Sequence, residues 1–245
     1  MNSGLTGRLR NARIARIFKF KLSIFRQLSQ PALSQVSNII DENGINLVLD
    51  VGANVGQFGT DLRNAGFTGE IISFEPASSP FQDLVKRSQR DKLWTVFNFA
   101  LGDSIREADL HIANNSGLSS SILEPNLHSI YFPTIIFDQT ERIQISTLSN
   151  FVKNQNLTDR RILLKIDTQG YENLILQGAT EIFDSVISTY LELSLVELYG
   201  EEATALSILN TLSNLGHEIS DIQRGIQSKD GKLLQIDVLT IKSSR

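Results

Sequence analysis

The chain has 245 residues, 41% of them hydrophobic, so it is long enough to bury one sizeable core. It contains no cysteine, which excludes a disulfide framework and a cysteine nucleophile and fits a reducing compartment. No stretch approaches the roughly 20 apolar residues of a membrane-spanning helix, and the beginning lacks the apolar core of a signal peptide. These features predict a soluble, cytoplasmic protein.

The net charge of −4 is distributed unevenly along the chain. Residues 1–40 contain seven Lys and Arg and no acid, so a basic arm precedes an acidic body. Within residues 8–28, apolar and basic side chains gather on opposite sides of a helical wheel. Such a helix can bind an anionic membrane, here the inner face of the cytoplasmic membrane, or cap the body's apolar edge; a targeting peptide is a third interpretation. We predict a basic amphipathic helical extension at 1–43 and one domain at 44–245.

Strands and helices alternate after the arm. The first predicted elements are a helix from Pro31 to Asn43, a strand at 46–50, a helix from Gly56 to Asn64, a strand at 70–75, a helix from Ser78 to Gln89 and a strand at 93–100. An irregular section at 103–147 holds strands at 108–113 and 141–146. The last predicted elements are a strand at 161–167, a helix from Tyr171 to Phe183, a strand at 187–196, a helix from Glu201 to Asn214 and strands at 217–222 and 233–241. This order predicts an α/β fold with a mostly parallel sheet and a C-terminal antiparallel hairpin.

The segment LVLDVGANVGQFG, residues 47–59, joins the first strand to the next helix. Ligands of open parallel sheets bind at the carboxyl ends of the strands, where this turn would lie. A dinucleotide site requires G-x-G-x-x-G, but Asn54 occupies the position of the second glycine. A ligand with an ammonium and a carboxylate but no diphosphate fits better, and S-adenosylmethionine is such a ligand. Asp50 is predicted to bind the ammonium, and the start of the helix is predicted to bind the carboxylate. The complete set of predicted cofactor contacts in this turn is Asp50, Gly52, Ala53, Asn54, Gly56, Gln57 and Phe58.

Two further strand ends complete the predicted cofactor site. Glu75 ends the second strand, where an acid can accept hydrogen bonds from both ribose hydroxyls, and Pro76 turns the chain away. After the third strand, Ala100 and Leu101 would contact the adenine ring and Asp103 its amino group. Each feature has a structural alternative, such as a helix cap for an acid after a strand. The order of all three along successive strands favours a cofactor site.

The sequence resembles the FkbM-type methyltransferases, which depend on S-adenosylmethionine and mostly methylate oxygen. The similar segments, in the family's order within residues 47–242, are DVGANVGQFG, FEPASSPFQDL, NFALGD, SGLSSSIL, LLKIDTQGYENLILQGA, LELSLVELYGEE and LQIDVLTIK. KIDTQGYE is the most specific of them. The resemblance implies a class I methyltransferase Rossmann-like fold, a seven-stranded sheet with helices on both faces. It leaves the acceptor open, because family members differ in substrate.

Three side chains are candidate bases for a hydroxyl acceptor. Asp167 follows a strand at its carboxyl end, where the methyl group would be presented and where it would also contact the cofactor; Lys165 shares its face. Glu192 lies on the adjacent predicted strand, and His128 lies in the irregular section. Lys165 can instead only neutralise nearby acids. The scattered histidines predict no metal, although Asp167 with Glu192 leaves a magnesium site as an alternative.

Residues 114–133 are the predicted acceptor loop, because long irregular segments in compact domains are often functional. Their alternative is a solvated loop without function. Tyr131 or Phe132 could stack on a sugar face. The predicted acceptor-binding residues are Ser119, Ser120, Ser121, Gln169 and Glu172, of which Glu172 can instead only complement a helix dipole.

These observations predict an O-methyltransferase that converts S-adenosylmethionine to S-adenosylhomocysteine and methylates a hydroxyl, on a sugar of a glycan, glycolipid or secondary metabolite. The alternatives are a nicotinamide-dependent oxidoreductase or epimerase and a catalytically inactive cofactor-binding module. A nucleic-acid acceptor is not expected, because the acidic body lacks interleaved basic and aromatic residues. Oligomeric state is left open.

Overall fold

The computed structural model of the protein describes residues 31–243. The basic arm at 8–28, with its membrane, capping and targeting interpretations, lies outside the described residues. The described helices are α1 (Pro31–Glu42), α2 (Gln57–Ala65), α3 (Ser78–Ser88), α4 (Leu127–Tyr131), α5 (Leu148–Asn154), α6 (Glu172–Gln177) and α7 (Ala205–Asn214). The strands are β1 (Leu47–Val51), β2 (Glu70–Phe74), β3 (Trp94–Phe97), β4 (Ala100–Leu101), β5 (Arg106–Ala113), β6 (Phe137–Ser146), β7 (Ile162–Ile166), β8 (Val186–Ser194), β9 (His217–Arg224) and β10 (Gln235–Lys242).

Seven strands form the main sheet in the order β3-β2-β1-β7-β8-β10-β9. The first five strands in this order, from β3 at the edge through β2, β1 and β7 to β8, run parallel to one another. Strand β10 is antiparallel to both β8 and β9. The predicted seven-stranded, mostly parallel sheet with a C-terminal hairpin is therefore confirmed. Strand order reverses between β1 and β7, so a crevice opens at their carboxyl ends, the usual ligand site of such sheets. A second sheet, β4-β6-β5, lies beyond β3 in the chain.

The sheet carries a hydrophobic core on each face. One core joins the central strands to α5, α6, α7 and the three-stranded sheet, and the other joins them to α1, α2 and α3. Every residue of β1 and β7 is buried, as expected of central parallel strands. Two of these buried residues are charged, Asp50 and Lys165, and they are register partners across the β1–β7 ladder. Val36, Ile39 and Ile40 of α1 belong to the second core, so this part of the predicted extension packs on the domain.

The predicted strand at 93–100 is divided between the two sheets. β3 ends at Phe97, and β4 pairs with β6 instead of β2. The break occurs at Asn98, whose Nδ2 donates to the carbonyl oxygens of Glu75 and Pro76, each at 2.9 Å. This side chain thus ties the end of β3 to the turn after β2, which redirects the chain.

The predicted helix from Tyr171 to Phe183 is also interrupted. α6 ends at Gln177, and a 3-10 turn follows at Thr180–Ser185. A Cβ at Gly178 would lie 1.9 Å from the carbonyl oxygen of Gly102, so two backbone segments meet where a continuous helix would have placed a side chain. Helix α5, which the sequence pattern did not predict, is capped by Thr147 Oγ1, which accepts from the N–H of Asn150.

Candidate functional site

A cavity lies at the crevice where β1, β2 and β7 end. Its walls surround about 590 Å³ of space, part of which is open solvent. The strand ends line it with Val51, Gly52, Asn54, Phe74, Glu75, Pro76 and Asp167. The three-stranded sheet and the segment after β5 line it with Phe99, Ala100, Leu101, Leu110, Gly117, Leu118, Ser120 and Ile122. Thr168, Gln169 and Tyr171 complete the wall.

The turn after β1 brings its backbone directly against β7. Gly52 has φ +75°, and a Cβ there would lie 1.9 Å from the carbonyl oxygen of Asp167. The contact that requires a glycine is therefore with protein, not with a ligand as the sequence suggested. Asn54, in the left-handed region at φ 46°, follows it. Its Nδ2 donates to Ser116 O at 3.1 Å, so this side chain joins the turn to the segment that covers the cavity.

Glu75 lies where the sequence predicted it, at the cavity and only 7% exposed. Its Oε2 accepts from the N–H of Asn54 and its Oε1 from the N–H of Ala77, both at 2.8 Å. Burial raises the pKa of Glu75 to about 7, against the opposing effect of these two N–H donors. Each oxygen retains one lone-pair direction, so the carboxylate can still accept from a ligand hydroxyl.

Asp50 does not line the cavity, in contrast to the prediction that it binds an ammonium. Its side chain is fully buried, and Lys165 Nζ lies 3.1 Å from its Oδ1 while Ser73 Oγ donates to Oδ2 at 3.1 Å. The reason is strand parity: Val51 faces the cavity, so the preceding residue faces the opposite side of the sheet. Lys165 Nζ also donates to Gly52 O at 2.8 Å.

The charge of Lys165 is held inside the sheet by these acids. Its burial acts to lower the pKa, but the charges of Asp50 and Asp167 outweigh it and raise the pKa above the ordinary value. The ion pair with Asp167 Oδ2 is longer, at 3.9 Å. The sequence alternative for Lys165 was that it only neutralises nearby acids. In the structure, Lys165 balances negative charge at the end of β7 and also binds the carbonyl oxygen of Gly52.

The start of α2 also lies away from the cavity. Gly56 has φ +85°, and a Cβ there would lie 2.8 Å from Leu84 Cδ1, so its backbone packs on α3. Gln57 is exposed, and the ring of Phe58 stacks on Tyr190 with centroids 5.8 Å apart. Ala53 is buried in the second core. None of these four predicted cofactor residues lines the cavity.

The apolar end of the cavity agrees only in part with the predicted adenine pocket. Ala100 and Leu101 lie in its wall. Asp103 does not, because its Oδ1 accepts from Arg106 Nη1 at 2.6 Å, which lowers the pKa of Asp103. Arg106 also donates to the hydroxyl of Tyr171, a wall residue. The acid thus positions an arginine, rather than facing the ring that the sequence assigned to it.

Asp167, Gln169 and Glu192 form a hydrogen-bonded group beside the cavity. Asp167, whose side chain is 40% exposed, and Gln169 lie in the cavity wall. Gln169 Nε2 donates to Asp167 Oδ1 at 2.9 Å and to Glu192 Oε1 at 2.8 Å. Gln235 Nε2 donates to the same Glu192 oxygen at 2.7 Å. Two of the three predicted bases, Asp167 and Glu192, are thus brought together through one amide.

Burial raises the pKa of Glu192 and of its neighbour Asp237. Burial first, and then the charge of Asp167, raise the pKa of Glu192 well above its ordinary value. The same two causes raise the pKa of Asp237, the cross-strand partner of Glu192, to about 6. Gln235 and Asp237 were missed by the sequence analysis, although their alternation along β10 places both on the face of Glu192.

The segment 114–133 divides into two parts. Gly117, Leu118, Ser120 and Ile122 line the cavity, so the first part covers the cofactor site instead of forming a separate acceptor loop. The hydroxyls predicted for the acceptor are engaged: Ser120 Oγ accepts from the N–H of Ala113.

Two neighbouring serines are buried. Ser119 Oγ accepts from Asn115 Nδ2 at 2.9 Å, and Ser121 Oγ donates to Gln169 O at 2.7 Å. In the second part, Tyr131 accepts from Lys232 and Phe132 packs on His128. The predicted acceptor contacts of Ser119 and Ser121 are therefore replaced by contacts within the protein.

His128 and Glu172 are not brought to the cavity. His128 is 3% exposed and packs among the rings of Phe132, Phe137 and Tyr199, and burial lowers its pKa. Glu172 is 4% exposed, and its Oε1 accepts from the N–H groups of Thr168 and Gly170. It therefore closes the turn before α6, a contact that neither the acceptor role nor the helix-dipole alternative predicted, and it does not line the cavity.

A family profile described as the methyltransferase FkbM domain matches residues 50–219, more than half of the chain. The chain belongs to the FkbM methyltransferase family. The resemblance read from KIDTQGYE and the other segments is thereby confirmed, and the protein is a methyltransferase, which overturns the oxidoreductase alternative. Among curated proteins, none matches the sequence.

Solved structures with a similar fold include several methyltransferases. The magnesium protoporphyrin IX methyltransferase of Synechocystis PCC 6803, with bound S-adenosylmethionine, is 11% identical; the alignment covers 88% of this chain and 80% of that chain, with TM-score 0.47. The precorrin-6y C5,15-methyltransferase of Geobacter metallireducens GS-15 is 10% identical over 81% of each chain, with TM-score 0.43. The fibrillarin of Aeropyrum pernix, with natively bound S-adenosylmethionine, is 12% identical; the alignment covers 80% of this chain and 66% of that chain, with TM-score 0.43. At these values the likeness carries no functional argument.

Proposed function

We propose that this protein transfers a methyl group from S-adenosylmethionine to a hydroxyl oxygen, on a sugar of a glycan, glycolipid or secondary metabolite. The observation that carries this proposal is Asp167, a partly exposed carboxylate in the cavity wall at the carboxyl end of β7. Methylation of a hydroxyl requires that its proton be removed, and this carboxylate is placed to accept it.

The residues of the cavity fit the proposed methyl donor. Glu75 provides a buried acid with free lone pairs for the ribose hydroxyls, and Pro76 follows it. Phe99, Ala100 and Leu101 provide an apolar surface for the adenine ring. Asp167 and Gly52 also line this cavity. When bound, the donor would supply a methyl group on a positively charged sulfur, and a hydroxyl oxygen that attacks the methyl carbon in line would displace that sulfur.

The chain's own side chains would then act by position and charge. The walls from Gly52 and Asp167 would hold the acceptor oxygen near the methyl group, an alignment that can lower a barrier by roughly 7 kcal/mol or more. Asp167 would take the hydroxyl proton as the oxygen–carbon bond forms and the carbon–sulfur bond breaks. The raised pKa of Glu192, which is joined to Asp167 through Gln169, favours the neutral form of Glu192.

The metal-independent mechanism stays a prediction. Between residues 31 and 243, no group of three or more His, Cys, Asp or Glu is arranged to hold a metal ion. Asp167 and Glu192 are joined by the Gln169 amide, whose N–H groups occupy one oxygen of each carboxyl group. The base in the proposal is therefore the side chain itself.

The proposal is tested by two measurements on the full chain. Calorimetry is expected to detect S-adenosylhomocysteine binding and no NAD binding. Methyl-labelled S-adenosylmethionine, incubated with neutral glycans, glycolipids and source-organism extracts, is expected to give a labelled product whose methyl group is attached to oxygen. Label on nitrogen, carbon or nucleic acid would contradict the acceptor, whereas NAD binding without S-adenosylhomocysteine binding would contradict the whole proposal.

The affinity for S-adenosylhomocysteine is expected to depend on pH through Glu75. The carboxyl group, with a pKa of about 7, must lose its proton to accept both ribose hydroxyls fully. Affinity should therefore rise with pH and be about tenfold weaker at pH 6 than at pH 8, because a one-proton linkage changes affinity about tenfold per pH unit below the pKa. Calorimetry between pH 6 and 8 measures this slope.

A matched pair of variants assigns that slope to Glu75. The Glu75→Gln protein should bind S-adenosylhomocysteine more weakly than the wild type at pH 8, and its affinity should depend little on pH. Glu202→Gln is the control, because burial also raises the pKa of Glu202 to about 7 but its side chain lies outside the cavity wall. It should keep the wild-type slope. A Glu75→Gln protein with the full wild-type slope would exclude a ribose contact.

A peripheral membrane contact through residues 8–28 also stays a prediction, since those residues lie outside the described part of the chain. Within residues 31–243, no helix is long and apolar enough to cross a bilayer. A lipid-linked acceptor would give the arm a role at the inner membrane face, where its Lys and Arg side chains would contact anionic lipids.

A further inference from the structure

Gln169 has an unusual backbone conformation next to the proposed base. Its φ is 56°, in the left-handed region that a non-glycine residue adopts at a cost of about 1–2 kcal/mol. Ser121 Oγ donates to its carbonyl oxygen at 2.7 Å and holds this conformation from the segment that covers the cavity. Strained backbone of this kind persists where the surrounding structure requires it, often at functional sites.

The conformation directs the Gln169 amide into a complete set of hydrogen bonds. Both Nε2 protons are used, one toward Asp167 Oδ1 and one toward Glu192 Oε1. The amide oxygen lies 3.0 Å from the Tyr199 hydroxyl, whose single proton it shares with Ser119 O, also at 3.0 Å. The buried Tyr199 hydroxyl thereby favours this amide orientation, and the amide joins the two carboxyl groups. The side chain predicted to contact the acceptor is instead occupied by protein partners.

The two carboxyl groups need such a bridge because their surroundings are strongly acidic. The ionisable groups that face them are Lys165 from β7, Tyr190 from β8, Asp237 from β10, Glu172 from α6 and Tyr199. Lys165, the cation of this set, lies nearer to Asp50 than to Asp167. Without the bridge, the partly exposed Asp167 carboxyl group would be free to rotate.

We propose that Gln169 is a positioning residue that holds the Asp167 carboxylate at the cavity by joining it to Glu192 and Tyr199. This inference rests on the proposed function, in which Asp167 accepts the acceptor's proton. The hydrogen bond to Oδ1 fixes the rotation of the carboxylate, which leaves Oδ2 as its free proton-accepting atom. A base displaced by about 1 Å loses about 100-fold in rate, so loss of the bridge should mainly lower kcat.

Gln169→Asn is the most informative variant. Asparagine tolerates a positive φ better than most residues, so the backbone turn is kept, while the shorter side chain cannot join both carboxyl groups. Gln235→Asn is the matched control: it shortens an amide that donates to the same Glu192 oxygen but has no bond to Asp167. Gln169→Leu provides a second variant without any donor.

The first measurement is NMR of the cofactor-free protein, which does not depend on activity. In Gln169→Asn, the side-chain carboxyl 13C resonance of Asp167 should change, and the titration midpoint of Glu192 should rise by about one to two pH units, the equivalent of one charge-assisted hydrogen bond. Gln235→Asn should move the Glu192 midpoint alone. An unchanged Asp167 resonance in a folded Gln169→Asn protein, or the same change in Gln235→Asn, would overturn the proposal.

The second measurement separates positioning from acceptor binding. Positioning predicts that Gln169→Asn lowers kcat about 100-fold with little change in the acceptor KM and moves the acid limb of the pH–rate profile upward. A raised KM with an unchanged kcat would instead mean that Gln169 binds the acceptor, which overturns the proposal. If no acceptor is methylated by the wild type, the proposed function fails, and NMR still decides whether Gln169 holds Asp167.

Discussion

Asp167→Asn is expected to lower methyl transfer by about 100- to 10,000-fold, the contribution of a general base, while S-adenosylhomocysteine still binds within about threefold of the wild type. The amide has the size of the carboxyl group but cannot take a proton from a hydroxyl. The measurements are turnover with a methyl-labelled donor and calorimetric affinity for the product. The side chain is 40% exposed, so the substitution disturbs no core packing.

Glu192→Gln is the matched control for this prediction. The pKa of Glu192 is raised well above its ordinary value by burial and by the charge of Asp167, which favours the neutral form that glutamine mimics. Glu192→Gln should therefore retain most of the activity. If Glu192→Gln were inactive and Asp167→Asn active, the base would be Glu192. If Asp167→Asn lost product binding by more than tenfold, Asp167 would act mainly on the cofactor.

Gly52→Ala is expected to cost more than about 4 kcal/mol of unfolding free energy, or to prevent folding, because two effects act at one residue. The backbone is in the left-handed region at φ +75°, and the new Cβ would lie 1.9 Å from the Asp167 carbonyl oxygen. Relief of that contact requires separation of the turn after β1 from β7. Urea denaturation measures the free energy, and calorimetry with S-adenosylhomocysteine measures the loss of the site.

Two other glycines separate the two effects. Gly216 has φ +82° and no heavy atom within 4 Å of a new Cβ, so Gly216→Ala should cost only the conformational strain of about 1–2 kcal/mol. Gly178 has an ordinary φ of −73°, but its Cβ would lie 1.9 Å from Gly102 O. Gly178→Ala therefore tests backbone contact alone. A Gly52→Ala protein no less stable than Gly216→Ala would mean that the contact with Asp167 is not rigid.

The predicted site residues that line the cavity lie at strand ends. Glu75, Pro76, Ala100, Leu101 and Asp167 line the cavity because parallel strands place their carboxyl ends along one edge, a relation that strand order alone supplies. A residue just after a strand meets that edge whatever its neighbours are. The fold class was predictable for the same reason, since the alternation of helices and strands requires a parallel sheet.

The incorrect assignments concern residues whose roles depend on distant partners. Asp50 is bound to Lys165, and Asp103 to Arg106, so neither acid is free for a ligand. Ser121 is bound to Gln169, and His128 packs against Tyr199. In each case the residue type suggested binding chemistry, and a contact made on folding used that chemistry within the protein. A local pattern contains no information about such a contact.

By itself, the sequence determined the family, the α/β architecture, and the acid that ends each of β2 and β7, because these depend on short-range periodicity and on residues adjacent along the chain. Tertiary structure decided which side chains remain available to a ligand. The buried Asp50–Lys165 pair and the Gln169 bridge join residues that are neighbours only after the strands align. A polar group without a partner is costly to bury, so most buried polar groups are paired within the fold, and those left at the cavity form the candidate site.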